Sequence, residues 1–250
     1  MCGSYFFLSD YNGLLAAARK LVALRPDSQS HGVLSIALIS LGRYAESIDA
    51  SRRALRLNPT DAGAYVNISY SLIRLDRNVE AIEAAVNAAK LNPNLALAYI
   101  NIGYAQNQMG DYNKAIVSAE RSLSLATEPR EIGIAHYVIG VANEKLERRE
   151  NAASSYRQSI AAYKRANLLA ADDYYYVGNA HFFLGENQPS IDAYKQAIKL
   201  RPDFAQPHFN LGIVYNALGK KRSALEEYQL LRRLDPERAQ KLRALIDAGQ

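Results

Sequence analysis

Cysteine is almost absent: Cys2 is the only one, and there is no tryptophan. A lone thiol excludes an intrachain disulfide and any cysteine-built metal site, and it leaves the redox compartment undecided. No run of about 18 apolar residues occurs, so no stretch reads as a transmembrane segment. An excess of one charge is missing too. The 30 Lys and Arg against 25 Asp and Glu leave a formal +5 spread along 250 residues. The basic clusters, Arg52-Arg53 and Lys220-Lys221-Arg222, are short. A nucleic-acid reader concentrates such charge on one face with reading elements beside it, so nucleic acid is not an expected partner.

Catalytic and metal-binding patterns are equally sparse. The four histidines, His31, His136, His181 and His208, show no ligand spacing of the HExxH kind, and no glycine-rich phosphate loop is present. The neighbours Asp172-Asp173 and Glu226-Glu227 splay on a helix and are expected to be solvated. The chain therefore reads as no enzyme, with no cofactor and no metal. Its opening, MCGSYFFLSDYNG, lacks the charged flank and continuous apolar run of a secretory signal. Cys2-Gly3-Ser4 is similar to the start of a mature lipoprotein, but a chance cysteine is the plainer reading. The compartment is left open, with the cytoplasm favoured and a periplasmic or lipid-anchored form the alternative if the chain is a fragment.

What the sequence does have is a period. The stretch 205–236, AQPHFNLGIVYNALGKKRSALEEYQLLRRLDP, reads as two short helices joined at Gly219 and stopped by Pro236. Its spacing of His208, Leu211, Gly212, Tyr215, Gly219, Ala224, Tyr228 and Pro236 recurs upstream about every 34 residues. Complete units fall at 28–61, 62–95, 96–132, 133–170, 171–204 and 205–236. A partial unit occupies 1–27, with Tyr5 to Leu8 as the tail of its first helix, and 237–250 forms a capping helix. The units at 96 and 133 are longer than the rest, which places irregular joints around Leu125 to Gly133 and Lys164 to Asp172. We read 1–250 as one domain beginning part-way through a unit, as a piece of a longer array would.

Helices of about 13 residues are marginal alone in water, so stacking must supply their stability. Gly103, Gly140, Gly178 and Gly212 are expected where two helices of a unit cross closely, with Ala81, Ala115, Ala152 and Ala224 at a second crowded position. Gly42, Gly110, Gly185 and Gly219 serve the turns. Asp76 stands in for the turn glycine of its unit, being one of the few residues that tolerate that backbone. His31, His136 and His208 share one bulky place in their units, which is a packing role.

This pattern resembles the tetratricopeptide repeat family over nearly the whole chain. The resemblance implies an all-α fold, a right-handed α-α superhelix, or solenoid, of helix-turn-helix repeats, whose first helices line a concave face. It further implies a non-catalytic scaffold that binds a protein, a peptide or a partner's helix there. On the family pattern the inward places hold Asn67 and Tyr70, then Asn101, Tyr104 and Gln108, then Tyr137. In the last two units they hold Tyr175, Tyr176, Asn179 and Phe182, then Phe209, Asn210 and Ile213. Asn67, Asn101 and Asn210 resemble the asparagine ladder of some peptide-binding members, interrupted by Val138 and Tyr176. Either they grip a backbone or Asn is simply common at that place. The family's clamp for a terminal carboxylate finds no three matching successive units. Alternatives are self-association through the truncated first unit, as a structural spacer, and a substrate-selecting arm of a larger enzyme.

Overall fold

In the computed structural model of the chain, the described residues are 11–166 and 169–248. Cys2, the helix tail expected at Tyr5 to Leu8, and Asn167 and Leu168 within the second expected joint lie outside them. Among the described residues every regular element is a helix. There are fourteen: α1 (Tyr11–Leu24), α2 (Ser28–Ser40), α3 (Tyr44–Leu57), α4 (Ala62–Arg74), α5 (Asn78–Leu91), α6 (Ala96–Gln108), α7 (Tyr112–Leu123), α8 (Pro129–Lys145), α9 (Arg149–Tyr163), α10 (Ala171–Phe183), α11 (Asn187–Leu200), α12 (Ala205–Ala217), α13 (Lys221–Leu234) and α14 (Pro236–Ala248). Two compact units divide the chain, with the boundary inside α9 after Gln158.

The first unit stacks α1 to α8 and the start of α9 as successive hairpins. The turn inside each hairpin repeats one device. At the end of α2, Gly42 N–H donates to Ile39 O at 2.9 Å and Arg43 N–H to Leu38 O at 2.9 Å, which satisfies carbonyls the helix leaves open. This requires a left-handed backbone, φ +69° at Gly42. Asp76, at φ +57°, and Glu147, at φ +59°, adopt it without being glycine. Asp27 and Asp61 cap α2 and α4, accepting from Ser30 N–H at 2.8 Å and Ala64 N–H at 3.0 Å.

Packing of this unit changes along the stack. Near the start, fully buried serines bond one another where the helices cross: Ser35 meets Ser47 at 2.8 Å and Ser51 at 2.7 Å, and Ser71 reaches Ser47 at 3.1 Å. Farther along, glycines let the helices approach closely. A Cβ on Gly103 would stand 3.0 Å from Ala115 O, and one on Gly140 would stand 2.8 Å from the Tyr156 ring. The long joint also resolves differently from the expected start at Gly133. α8 begins at Pro129 and runs 17 residues, because proline suits a first helical position.

In the second unit, α10 pairs with α11, α12 with α13, and α14 lies against α12 and α13. Its core is Ile191, Tyr194, Leu211, Val214, Tyr215, Ala224, Leu231, Ala239, Leu242 and Ile246. The Tyr194 ring fills the space over Gly178, where an added Cβ would approach it to 2.5 Å. Over Gly212 the same office falls to Leu242 of α14, also at 2.5 Å.

Candidate functional site

The inward-place residues divide between the two units, and each set stands by itself. In the first unit Asn67 and Tyr70 on α4 and Tyr104 on α6 are half-buried, and Gln108 is exposed at the end of α6. Asn101 is only 4% exposed and donates its amide to Val66 O at 3.1 Å, tying α6 to the preceding repeat. Asn107 does the same toward Val138 O at 2.8 Å. Tyr137 is buried, its ring 5.9 Å from that of Tyr156, whose hydroxyl donates to Glu144 at 2.7 Å.

In the second unit two of these residues are bonded directly to each other. Tyr175, Asn179 and Phe182 follow one another at helical spacing on α10, and Phe209, Asn210 and Ile213 occupy α12. Asn210 donates to Asn179 Oδ1 at 2.8 Å, which joins the two stripes. Tyr194 donates its hydroxyl to the same oxygen at 2.7 Å. Burial, with Tyr175 beside it, holds that phenol above its ordinary range, so it stays a donor. Phe182 is 40% exposed; Tyr175, Asn179, Phe209, Asn210 and Ile213 are half-buried. Tyr176, at 3%, is packed inside. Asn101, Tyr137 and Tyr176 therefore act through packing, and the accessible part of the candidate surface is carried by the other residues.

Behind this face lies a polar cluster that the sequence did not disclose. The expectation that Asp172-Asp173 and Glu226-Glu227 are solvated is overturned for three of the four: Asp172 and Asp173 are buried, and the Glu227 side chain is 13% exposed. Asp173 accepts from Ala170 N–H at 2.8 Å, completing the start of α10. Asp172 takes two bonds from the Arg201 guanidinium, at 3.1 and 3.2 Å, with both side chains buried. Removing one member of such a pair costs about 3–5 kcal/mol, because the other is left as an uncompensated charge. Arg201 also stands 3.7 Å above the Phe204 ring, and Phe204 lies 5.4 Å from Tyr175.

His208 departs from a purely packing role. It is 4% exposed, with Nδ1 2.6 Å from Glu227 and Nε2 3.0 Å from Pro202 O. Burial opposes its charge, but the bonds to Glu227 and Pro202 outweigh burial and raise its pKa. At the corresponding places, burial lowers the pKa of His31 and His136, with Arg53 and Arg56 adding to the effect at His31. One signal of the aromatic packing was present in the sequence: Tyr156 and Tyr194 each follow Gly140 and Gly178 by the same interval. Nothing comparable marks Arg201 or Glu227.

Among the described residues, no three His, Cys, Asp or Glu side chains come together as a metal site, and no helix is long and apolar enough to cross a membrane. Of the partial unit 1–27, named above for self-association, residues 1–10 lie outside the described residues and α1 lies within them.

Comparison with known proteins gives concordant results. Two models described as "Tetratricopeptide repeat" match residues 8–62, 33–96 and 96–129, and one described as "TPR repeat" matches 178–219. No curated protein matches the chain. A chain of the APC/C hetero-tetramer Cut9-Hcn1 is similar in structure, at TM-score 0.72 and 18% identity, over 99% of this chain and 48% of its own, so this chain spans about half of it. A thermophilic TPR protein of Thermus thermophilus matches at 0.60 and 18%, over 75% of this chain and 98% of its own. A tetratricopeptide repeat protein from Parabacteroides merdae matches at 0.61 and 13%, over 98% and 95% respectively. At such identities the likeness is one of fold, an all-α solenoid of helix-turn-helix repeats.

Proposed function

Because this chain belongs to the tetratricopeptide repeat family, we propose that it is a non-catalytic interaction scaffold whose α10–α12 face takes an apolar or aromatic segment of a peptide or partner helix. Proteins of this family bind proteins or peptides, and the particular surface is our reading. One observation carries it. Tyr175, Phe182, Phe209 and Ile213 offer partly accessible apolar surface on two adjacent first helices, held in register by the Asn210–Asn179–Tyr194 bonds. Aromatic side chains on a rigid support are the usual material of interface hot spots. A pre-bonded amide floor also lowers the ordering cost of binding.

A displayed peptide library selected on the intact chain tests this. Selected peptides should carry an aromatic or large aliphatic anchor, and Phe182→Ala with Phe209→Ala should weaken them by about tenfold or more. Far-ultraviolet circular dichroism should be unchanged, since neither side chain is fully buried. Tyr176→Ala is unsuitable as a probe, because it would open a cavity in the core. Selected peptides that bind the double variant equally well would place the binding surface elsewhere.

A further inference from the structure

We propose that the turn 201–204 and the start of α12 form a proton-dependent latch behind the α10–α12 face, with His208 and Glu227 as its two closing groups. The geometry requires a proton. Nδ1 of His208 faces a carboxylate oxygen of Glu227 on α13 at 2.6 Å, and Nε2 faces the carbonyl oxygen of Pro202 at 3.0 Å. Both partners are acceptors, whereas a neutral imidazole has one N–H to give. The closed arrangement therefore holds one proton more than a neutral ring beside a carboxylate. Losing it sets a ring lone pair against an oxygen, where the two side chains are only 5% and 13% exposed and water has little room to substitute.

What the latch holds is the connection between α11 and α12. Pro202 is fixed by His208; its neighbour Arg201 is fixed by Asp172 on α10; and Phe204, 3% exposed, is wedged between Arg201 and Tyr175. Tyr175 belongs to the proposed binding face. Opening the Pro202 contact thus frees the turn that supports one wall of that face. As a device regulating binding, the latch rests on the face being a binding surface; as a proton-dependent contact it can be observed without any partner.

The surrounding charges leave Glu227 in control. On α13, Glu226 is exposed and bonded to Arg222. On α10, Asp172 is engaged by Arg201. Asp203 on the turn, and Lys195 and Lys199 on α11, are exposed. The charges of α14 and the residue before it pair with one another: Arg238 with Asp235, Lys241 with Glu237, Arg243 with Asp247. The sign follows from the raised pKa. The latch stabilises fully below the ordinary imidazole value of 6.5 and loses that contribution as pH rises through the higher folded-state value.

Nitrogen-detected NMR of the intact chain between about pH 5 and 9 tests the latch. Both ring nitrogens of His208 should be protonated at the acid end, with a midpoint above 6.5. The Tyr175 and Phe204 ring signals should move with that same midpoint, and amides near 201–205 should exchange about tenfold faster above it. Glu227→Gln should lower the midpoint by about one unit while leaving the Tyr137 and Tyr156 signals in place. A His208 midpoint at or below 6.5, or ring signals that ignore it, would overturn the latch. Peptides selected on the face should bind more weakly above the midpoint. If the latch titrates as expected but their affinity is flat with pH, control of binding is wrong while the face reading stands.

Discussion

Glu147 shows how much a single backbone angle can cost. It holds φ +59° in the turn after α8, where the same turns of four other hairpins use glycine at +69° to +83°. A side chain in that region meets the neighbouring carbonyl, a penalty of about 1–2 kcal/mol that glycine avoids while losing more entropy on folding. Glu147→Gly is therefore expected to stabilise the chain by about 0.5–1 kcal/mol in urea unfolding. Asp76→Gly should gain less, since Asp tolerates this backbone better. His208 makes a complementary point about chemistry. It occupies the same place in its repeat as His31 and His136, yet its pKa is raised where theirs are lowered. Periodicity specifies a bulky ring at that place; whether the ring is charged depends on Glu227, one helix away.

At the level of the element, α14 does for its repeat what a tyrosine does for the two before it. Gly140 and Gly178 are covered by Tyr156 and Tyr194, while Gly212 is covered by Leu242. The equivalent tyrosine, Tyr228, is half-buried instead, with Arg243 5.8 Å above its ring. Leu242→Ala should cost about 2–5 kcal/mol in chemical unfolding, the usual range for a buried leucine. A loss well under this range would mean that Tyr228 turns into the vacated slot, which its ring signals would report. The ends of most helices were legible because Pro and the turn residues act within a few positions of one another. The start of α8 at Pro129 was not, because proline reads equally as a stop after α7 and as the first residue of the next helix.

Across the whole molecule, stability is distributed by neighbour contacts within compact units at 11–158 and 159–248. In such arrays a local lesion weakens adjoining elements first. Leu242→Ala should therefore lower amide protection in α12 to α14 strongly and in α10 and α11 less, leaving α2 to α5 as in the parent. Hydrogen exchange read by mass spectrometry checks this, and a uniform loss along the chain would contradict it. The amino-acid sequence by itself determined the repeat period, the helical class and the hairpin turns, because each depends on residues within one repeat; the inward places rest on resemblance to the family. Only the tertiary structure decided which of those places are accessible. Asn101 is joined to Val66 across 35 residues, Asn210 to Asn179 across 31, Arg201 to Asp172 across 29 and His208 to Glu227 across 19. Whether an amide, a carboxylate or an imidazole is left for a partner depends on what the neighbouring helix brings against it, and helical periodicity carries no record of that pairing.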